Sequence, residues 1–199
     1  QNLSLDFFVI VHVIVVLKDC WRNGYFRMFI SHITSKKQQA SNLKNALEEY
    51  GITSFVAHED INPTREWQKE IQRALNSMDC MSAILYNGFH ESNWCDQEVG
   101  IALGRSITVL PLILDHDPYG FLGEYQGVKI KGMHPVDLAK DIFTILCENP
   151  NTRNKYLSCL TGLLLSSNSN DDAFLLSLLL DIHQESHKGH GLISVVILL

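Results

Sequence analysis

Residues 80–104 read CMSAILYNGFHESNWCDQEVGIALG, and this segment decides the fold class. Its first seven residues form an apolar run that predicts a buried strand, and Ser92 is a good N-cap for the helix that should follow. Trp94 and Glu98 then lie one turn apart, within the first two turns of that helix. If the strand is central in a parallel sheet, this helix start lies at the carboxyl edge of the strands, where open α/β folds bind ligands. The indole and the carboxylate are therefore a candidate site.

Strands and helices alternate on both sides of this segment. Short strands joined by helices imply right-handed crossovers and a parallel sheet that is covered on both faces. We expect an α/β, flavodoxin-like three-layer domain with about five strands and short terminal extensions. The predicted strands are Met28–Ser31, Ile52–Ala57, Cys80–Tyr86, Ile107–Leu114 and Val128–Ile130, and the predicted helices are Ser35–Tyr50, Trp67–Met78, Ser92–Gly104 and Pro135–Cys147.

Particular residues predict how these elements begin and end. Ser35 is the expected N-cap of the first helix, and Gly51 supplies its left-handed stop. Pro111 removes one donor from its strand, which favours a position near a sheet edge or at a bulge. Gly100 and Gly104 are interpreted as sites of close helix packing.

Domain boundaries follow from the same pattern. Met28 stands directly before the first well-formed strand, so we expect residues 1–27 to be an N-terminal extension outside the native domain. The domain should occupy residues 28–148. Residues 149–199 form a C-terminal extension, in which Tyr156–Leu165 and Ala173–Ile182 are leucine-rich and could be two helices.

Composition and charge exclude several classes of partner. A formal charge of -6 and scattered basic residues give no attraction to phosphate backbones, so nucleic acid is not expected. The five cysteines show no C-x-x-C pairing, which fits a reducing cytoplasm. The apolar run Phe7–Leu17 is shorter than the ~20 residues that a bilayer requires, so no membrane partner is expected. His183 and His187 do not complete an H-E-x-x-H motif, and no metal site is predicted.

Several segments together resemble the Toll/interleukin-1 receptor (TIR) domain, in particular its bacterial form. Phe29-Ile30-Ser31-His32 is similar to the first strand of that family, and Gly51–Val56 followed by Glu59–Pro63 is similar to its second strand and loop. Ser92–Glu98 resembles the W-x-x-x-E site. The resemblance runs from about Met28 to Cys147, with the motifs in the family's order and spacing.

This resemblance implies an enzyme that cleaves NAD at its nicotinamide–ribose bond. Carried over by motif, Glu98 is the catalytic residue and Trp94 a substrate-binding residue. Ser31 and His32 after the first strand, and Asp60 and Asn62 after the second, would form the other walls. NAD is then a substrate and no further cofactor is implied. Expected roles are bacterial antiphage defence or signalling, and self-association through TIR–TIR contacts.

The residues depart from the family's catalytic pattern in two places. Catalytic relatives often carry Arg after the first strand and an acidic residue in the second loop, where this chain has Ile33-Thr34 and Ala57 with Asn62. Those differences affect the nicotinamide contacts more than the carboxylate.

The chemistry suits a single carboxylate. Nicotinamide in NAD is already cationic and leaves as a neutral molecule, so no general acid is needed. Positive charge then builds on the ribose as an oxocarbenium-like species, which a carboxylate such as Glu98 stabilises. Whether water or the adenine ring attacks the sugar decides between ADP-ribose and a cyclic isomer, and the sequence leaves both open.

Structural interpretations compete with each of these assignments. A Trp at a helix start is commonly packing, and an acidic residue there is commonly a surface group favoured by the helix dipole. Cys95 is interpreted as a core residue because no paired base is identifiable. His32 could make either a strand-end hydrogen bond or a ligand contact. The alternative function is a non-enzymatic TIR scaffold that mediates protein–protein assembly.

Overall fold

A five-stranded parallel sheet forms the centre of the protein. The structure is a computed structural model and describes residues 20–56, 67–166 and 177. The strands lie in the order β2-β1-β3-β4-β5 and are all parallel. This confirms the predicted flavodoxin-like α/β fold. The strands are β1 (Phe26–Ser31), β2 (Ile52–Phe55), β3 (Cys80–Leu85), β4 (Thr108–Ile113) and β5 (Val128–Lys129).

Helices cover both faces of this sheet. The helices are α1 (Lys37–Glu48), α2 (Trp67–Ser77), α3 (Asn93–Gly104), α4 (Pro135–Glu148) and α5 (Arg153–Ser166). Alternate residues of β1 face opposite ways: Ile30 packs into one core with α1, α4 and α5, whereas Phe29 packs into the other with α2 and α3. Ser31 follows Ile30 and therefore shares the face of Phe29, toward α2 and α3. No helix among the described residues is long and apolar enough to cross a membrane.

The strand order places a switch point at the middle of the sheet. The chain passes from β1 to β2 on one side and then returns to the other side of β1 to form β3. The connections that leave β1 and β3 therefore diverge to opposite faces, and a crevice opens outside their carboxyl ends.

Most predicted element boundaries agree with the structure, and Ser35 is an exception. A 3-10 helix spans Thr34–Lys36, α1 begins only at Lys37, and its N-cap position makes no side-chain cap. The predicted stop at Gly51 is confirmed, with φ of +69°. An added Cβ there would lie 2.9 Å from Leu160 Cδ2, so a larger residue would also have to displace that side chain.

Two further predictions concern Pro111 in β4 and the glycines of α3. Pro111 pairs with Ala83 on its inner side, while the two-residue β5 begins only opposite Leu112. Pro111 thus lies near an edge, as predicted. Its missing N–H does not interrupt the pairing of β4 with β5, because that pairing begins at Leu112. The interpretation of Gly100 and Gly104 is wrong for the described residues, because an added Cβ at either would meet nothing within 4 Å.

The residues before Met28 pack tightly on the sheet. Strand β1 begins at Phe26, which is fully buried, and Trp21 is buried with its Nε1 donating to Ser77 Oγ at 2.7 Å. Arg27 pairs with Asp79 at 2.7 Å. The packed unit therefore starts before the predicted boundary. Residues 1–19 lie outside the described residues, and for them the extension stays a prediction.

Helix α5 belongs to the same packed unit. Tyr156 is fully buried, and its hydroxyl donates to the Tyr50 carbonyl at 2.7 Å. Lys155 contacts Asp79, which lies directly before β3. Helix α5 thus packs beside the amino ends of the strands, opposite the switch-point crevice. The second predicted helix, Ala173–Ile182, lies outside the described residues except for Ser177, which is helical.

Candidate active site

A cleft with a volume of ≈ 440 Å³ opens at the carboxyl ends of β1 and β3. This is within the range of about 300 to 1,000 Å³ typical of small-molecule sites. Its position at the switch point is the one that the fold class favours for ligands. We call it the Glu98 cleft, and its lining residues are Ile30, His32, Ile33, Thr34, Ser35, Ile71, Gly88, Glu91, Ser92, Trp94, Cys95 and Glu98.

Glu98 is a buried carboxyl group in the wall of this cleft. Only 6% of the residue is exposed, and Ser31 Oγ donates a hydrogen bond to its Oε2 at 2.6 Å. Burial raises the pKa of Glu98 from 4.5 to about 7, while the bond from Ser31 acts in the opposite direction. The carboxyl group therefore titrates near neutral pH.

In the described part of the chain, the Glu98 carboxyl group has no cationic partner. Among residues 20–56 and 67–166, no Lys, Arg or His side chain forms an ion pair with Glu98. A buried acid that is held by a hydroxyl group and faces a cleft is free to meet a cationic ligand. Perturbed acids in clefts are functional-site candidates for this reason.

Trp94 contributes an exposed aromatic surface to the same wall. The helix begins at Asn93, with Ser92 as its N-cap accepting a hydrogen bond from the Cys95 N–H at 3.4 Å. Trp94 is 44% exposed, one turn before the buried Glu98. Trp94 and Glu98 both line the Glu98 cleft, and their roles in binding and catalysis stay predictions.

Cys95 lies between these two residues and is unsuited to be a nucleophile. It is 2% exposed, and burial raises the pKa of its thiol to about 11, with a further contribution from the nearby Glu98. The group is therefore a neutral thiol at physiological pH. The structure agrees with its interpretation as a core residue.

The other predicted site residues are placed differently from one another. His32 lines the cleft and is 5% exposed, with Nδ1 3.1 Å from the Ile30 carbonyl oxygen. Ser31 is 1% exposed and is absent from the cleft lining, so it contacts Glu98 from behind the wall. Asp60 and Asn62 lie outside the described residues, and their roles stay predictions.

Sequence reasoning missed part of the lining. Thr34, Ser35, Gly88 and Glu91 border the cleft from the connections after β1 and β3, and Ile71 borders it from α2. The available signal was their position just beyond strand ends that meet at one edge. For Ile71 no signal distinguished a cleft residue from an ordinary core residue, because it belongs to the apolar face of its helix.

The ammonium group of Lys36 is held beside the cleft. Lys36 follows the lining residues Thr34 and Ser35, and its Nζ lies 3.6 Å from the centroid of the Tyr86 ring. Tyr86 is the first residue after β3, so the pair lies at the same carboxyl edge of the sheet. A cation–π contact of this kind holds the ammonium group in place while leaving donors for a ligand.

Other features of the described residues contain no predicted site residue. A second cavity of ≈ 450 Å³ lies near the start of β4 and is bordered by neutral residues that include Ser106, Tyr125 and Asn149. In the described part of the chain, no group of three or more His, Cys, Asp or Glu side chains is arranged to hold a metal ion.

Fold and cleft together define a flavodoxin-like α/β domain with an open cleft at its switch point. A sequence model of the TIR domain matches residues 28–147, which is more than half of the chain. The chain therefore belongs to the TIR domain family. A comparison with the curated proteins found no match.

Solved structures of TIR domains are similar to this chain. The TIR domain of the Toll-related receptor TRR-2 from Hydra magnipapillata is 20% identical, over 58% of this chain and 96% of that one, with a TM-score of 0.47. The TIR domains of the activated Roq1 resistosome, a structure described as directly recognising the pathogen effector XopQ, are 19% identical. They match over 79% of this chain and 99% of that one, with a TM-score of 0.41.

Proposed function

We propose that this TIR domain cleaves NAD at the nicotinamide–ribose bond, with Glu98 as its catalytic residue. The observation that carries the proposal is the buried carboxyl group of Glu98 in the wall of a cleft, beside an exposed indole. The products are nicotinamide and either ADP-ribose or a cyclic isomer. Following the resemblance, we place the activity in bacterial antiphage defence or signalling in the cytoplasm, with self-association of the domain.

The burial of Glu98 suits a reaction that develops positive charge. As the glycosidic bond lengthens, an oxocarbenium-like ribose forms, and an ionised carboxylate in a water-poor wall stabilises it more than the same group in water would. The neutral nicotinamide leaves without needing a proton. The pyridinium charge of bound NAD also favours the ionised form of Glu98, which offsets the effect of burial.

Charges around the cleft match the two ends of the substrate. Glu98, Glu91 and the indole of Trp94 all belong to one wall, which suits a cationic pyridinium ring. Lys36 follows the lining residues Thr34 and Ser35 and is held over Tyr86, and its ammonium group suits the anionic diphosphate. NAD is thus expected to lie with nicotinamide toward α3 and diphosphate toward the start of α1.

Incubation with NAD at pH 8, followed by chromatography of the products, tests the proposal. The wild-type protein should release nicotinamide, and Glu98→Gln should not, because the neutral amide cannot offset the developing charge. Glu48→Gln, an exposed change on α1, is the matched control and should retain full activity. Each variant should be assayed with and without induced assembly. Nicotinamide release by Glu98→Gln at the wild-type rate would remove Glu98 from the mechanism.

A further inference from the structure

Ser31 is the one polar side chain that a hydrogen bond joins to the catalytic candidate among the described residues. From this geometry we infer that Ser31 is a positioning residue, which fixes the Glu98 carboxylate and keeps it ionised for the reaction, and is not itself a contact of the substrate. The inference rests on the proposed function, and it replaces the role in substrate binding that the resemblance implied for Ser31.

The backbone position of Ser31 makes it a rigid support. It is the last residue of β1 and pairs with Ala83 of β3, so two neighbouring strands fix its Cα. Its side chain points to the face covered by α3, where Glu98 lies 67 residues further along the chain. Groups carried by a central strand are held more precisely than groups carried by a loop.

The bond engages only one of the two carboxylate oxygens. Ser31 Oγ reaches Oε2 from a position that is 1% exposed and does not border the cleft. Glu98 itself borders the cleft, so its second oxygen, Oε1, is left for a ribose hydroxyl. A substrate that entered the cleft would meet Glu98 and not Ser31.

The hydrogen bond also selects the ionised form of Glu98. A hydroxyl donor at 2.6 Å from a carboxyl oxygen has the length of a charge-assisted bond. Such a bond stabilises the carboxylate more than the neutral acid, and it opposes the effect of burial on the Glu98 pKa. Without it, the group would be protonated over more of the neutral range.

Among the described residues, the other groups near Glu98 do not supply this effect. Cys95 on α3 stays a neutral thiol, and Glu91 is an acid that would act in the opposite direction. From α2 the cleft receives the apolar Ile71. His32 borders the cleft at the end of β1, but its Nδ1 is directed at the Ile30 carbonyl. Within residues 20–56 and 67–166, Ser31 is therefore the group that favours the ionised form of Glu98 against the effect of burial.

The pH profile of kcat/KM for NAD tests this role, because it reports the ionisation of the free enzyme. We expect the wild-type profile to rise through pH 7 and the Ser31→Ala profile to rise about one pH unit higher, given the usual strength of hydrogen bonds to charged groups. At pH 7 the loss should be about fivefold, and it should disappear above pH 9. Ser31→Thr keeps the hydroxyl group and should restore the wild-type profile.

Ser82→Ala is the matched control. Ser82 is a fully buried serine of the neighbouring β3, and its hydroxyl lies 3.6 Å from Met28 Sδ, away from Glu98. A purely structural effect of deleting a buried strand hydroxyl should appear in both variants, whereas the shift of the profile should appear only in Ser31→Ala. A Ser31→Ala variant with an unmoved profile and an equal rise of KM at every pH would overturn the inference and make Ser31 a substrate contact.

Titration of the Glu98 carboxyl carbon by NMR separates this inference from the proposed function. Ser31→Ala should raise the pKa of the Glu98 carboxyl group, as reported by the chemical shift of that carbon, whether or not the protein cleaves NAD. If NAD is not cleaved but the titration moves, the proposed function fails and the coupling of Ser31 to Glu98 stands. If the titration does not move, the inference fails even in an active enzyme.

Discussion

Replacing Glu98 with glutamine should stabilise the fold while removing the proposed activity. The side chain keeps its shape, and its amide oxygen can still accept the hydrogen bond from Ser31. The substitution changes only the charge. Wild-type Glu98 ionises in its buried position when the pH rises, whereas glutamine stays neutral at every pH. Substitution of a catalytic group that is costly to bury commonly increases the stability of the fold and removes activity.

The magnitude follows from the shift in ionisation. Burial raises the pKa of Glu98 from 4.5 to about 7, and each pKa unit corresponds to about 1.4 kcal/mol. Between these two values the folded protein binds a proton that the unfolded chain has released, so wild-type stability falls as the pH rises from 4.5 to 7. The stability of Glu98→Gln should not fall in this way, because glutamine does not titrate. Its advantage over wild type should be about 1 kcal/mol at pH 5 and about 3 kcal/mol at pH 8.

Thermal and urea unfolding at pH 5 and pH 8 measure this difference. About 3 kcal/mol corresponds to a rise in Tm of roughly 6 to 12 °C for a chain of this size. Glu48→Gln on the exposed surface of α1 should show no such pH-dependent gain. Equal stability of wild type and Glu98→Gln at pH 8 would refute the claim that the carboxylate is held at a cost, and with it the raised pKa.

Three other changes probe the cleft and the opposite edge of the sheet. Trp94→Ala should raise the KM for NAD roughly 2- to 30-fold through lost stacking; a rise below twofold with reduced turnover would contradict a binding role. Lys36→Gln should raise the KM for NAD severalfold but leave unchanged the KM for nicotinamide riboside, which keeps the cationic pyridinium and lacks the diphosphate; equal effects on both substrates would argue against a diphosphate contact. Tyr156→Phe should reduce stability in urea by about 1 to 2 kcal/mol, because the Tyr50 carbonyl loses its buried donor, while nicotinamide release stays unchanged; a loss of release would show that α5 influences the cleft.

The fold could be predicted from the sequence because local and global signals agree. Each strand is an apolar run of ordinary length, and each intervening helix carries an apolar face, so the alternation alone indicates a covered parallel sheet. The wrong predictions concern residues whose type is compatible with more than one structural role. Ser35 is a plausible N-cap, yet the chain forms a 3-10 turn first and Ser35 borders the cleft instead.

The glycines of α3 show the same ambiguity. Gly100 and Gly104 suit close helix packing in sequence, but in the described structure their Cβ positions would be open. Spacing along a helix shows which residues share a face. It does not show whether that face points toward the protein core or toward solvent. That direction depends on how α3 packs against the sheet, which is a tertiary property.

The candidate site was only partly predictable for a related reason. The placement of Trp94 and Glu98 on one wall follows from helix geometry, but their exposures differ, at 44% and 6%. The burial that raises the Glu98 pKa and the bond from Ser31 both depend on how α3 lies against the end of β1. A shift of β1 by one residue would turn Ser31 to the other face of the sheet and remove the bond. The ionisation of Glu98 therefore depends on the register of β1, a strand that precedes it by 67 residues in the chain, which is why mutations at Ser31 should move the pH profile and not merely lower the rate.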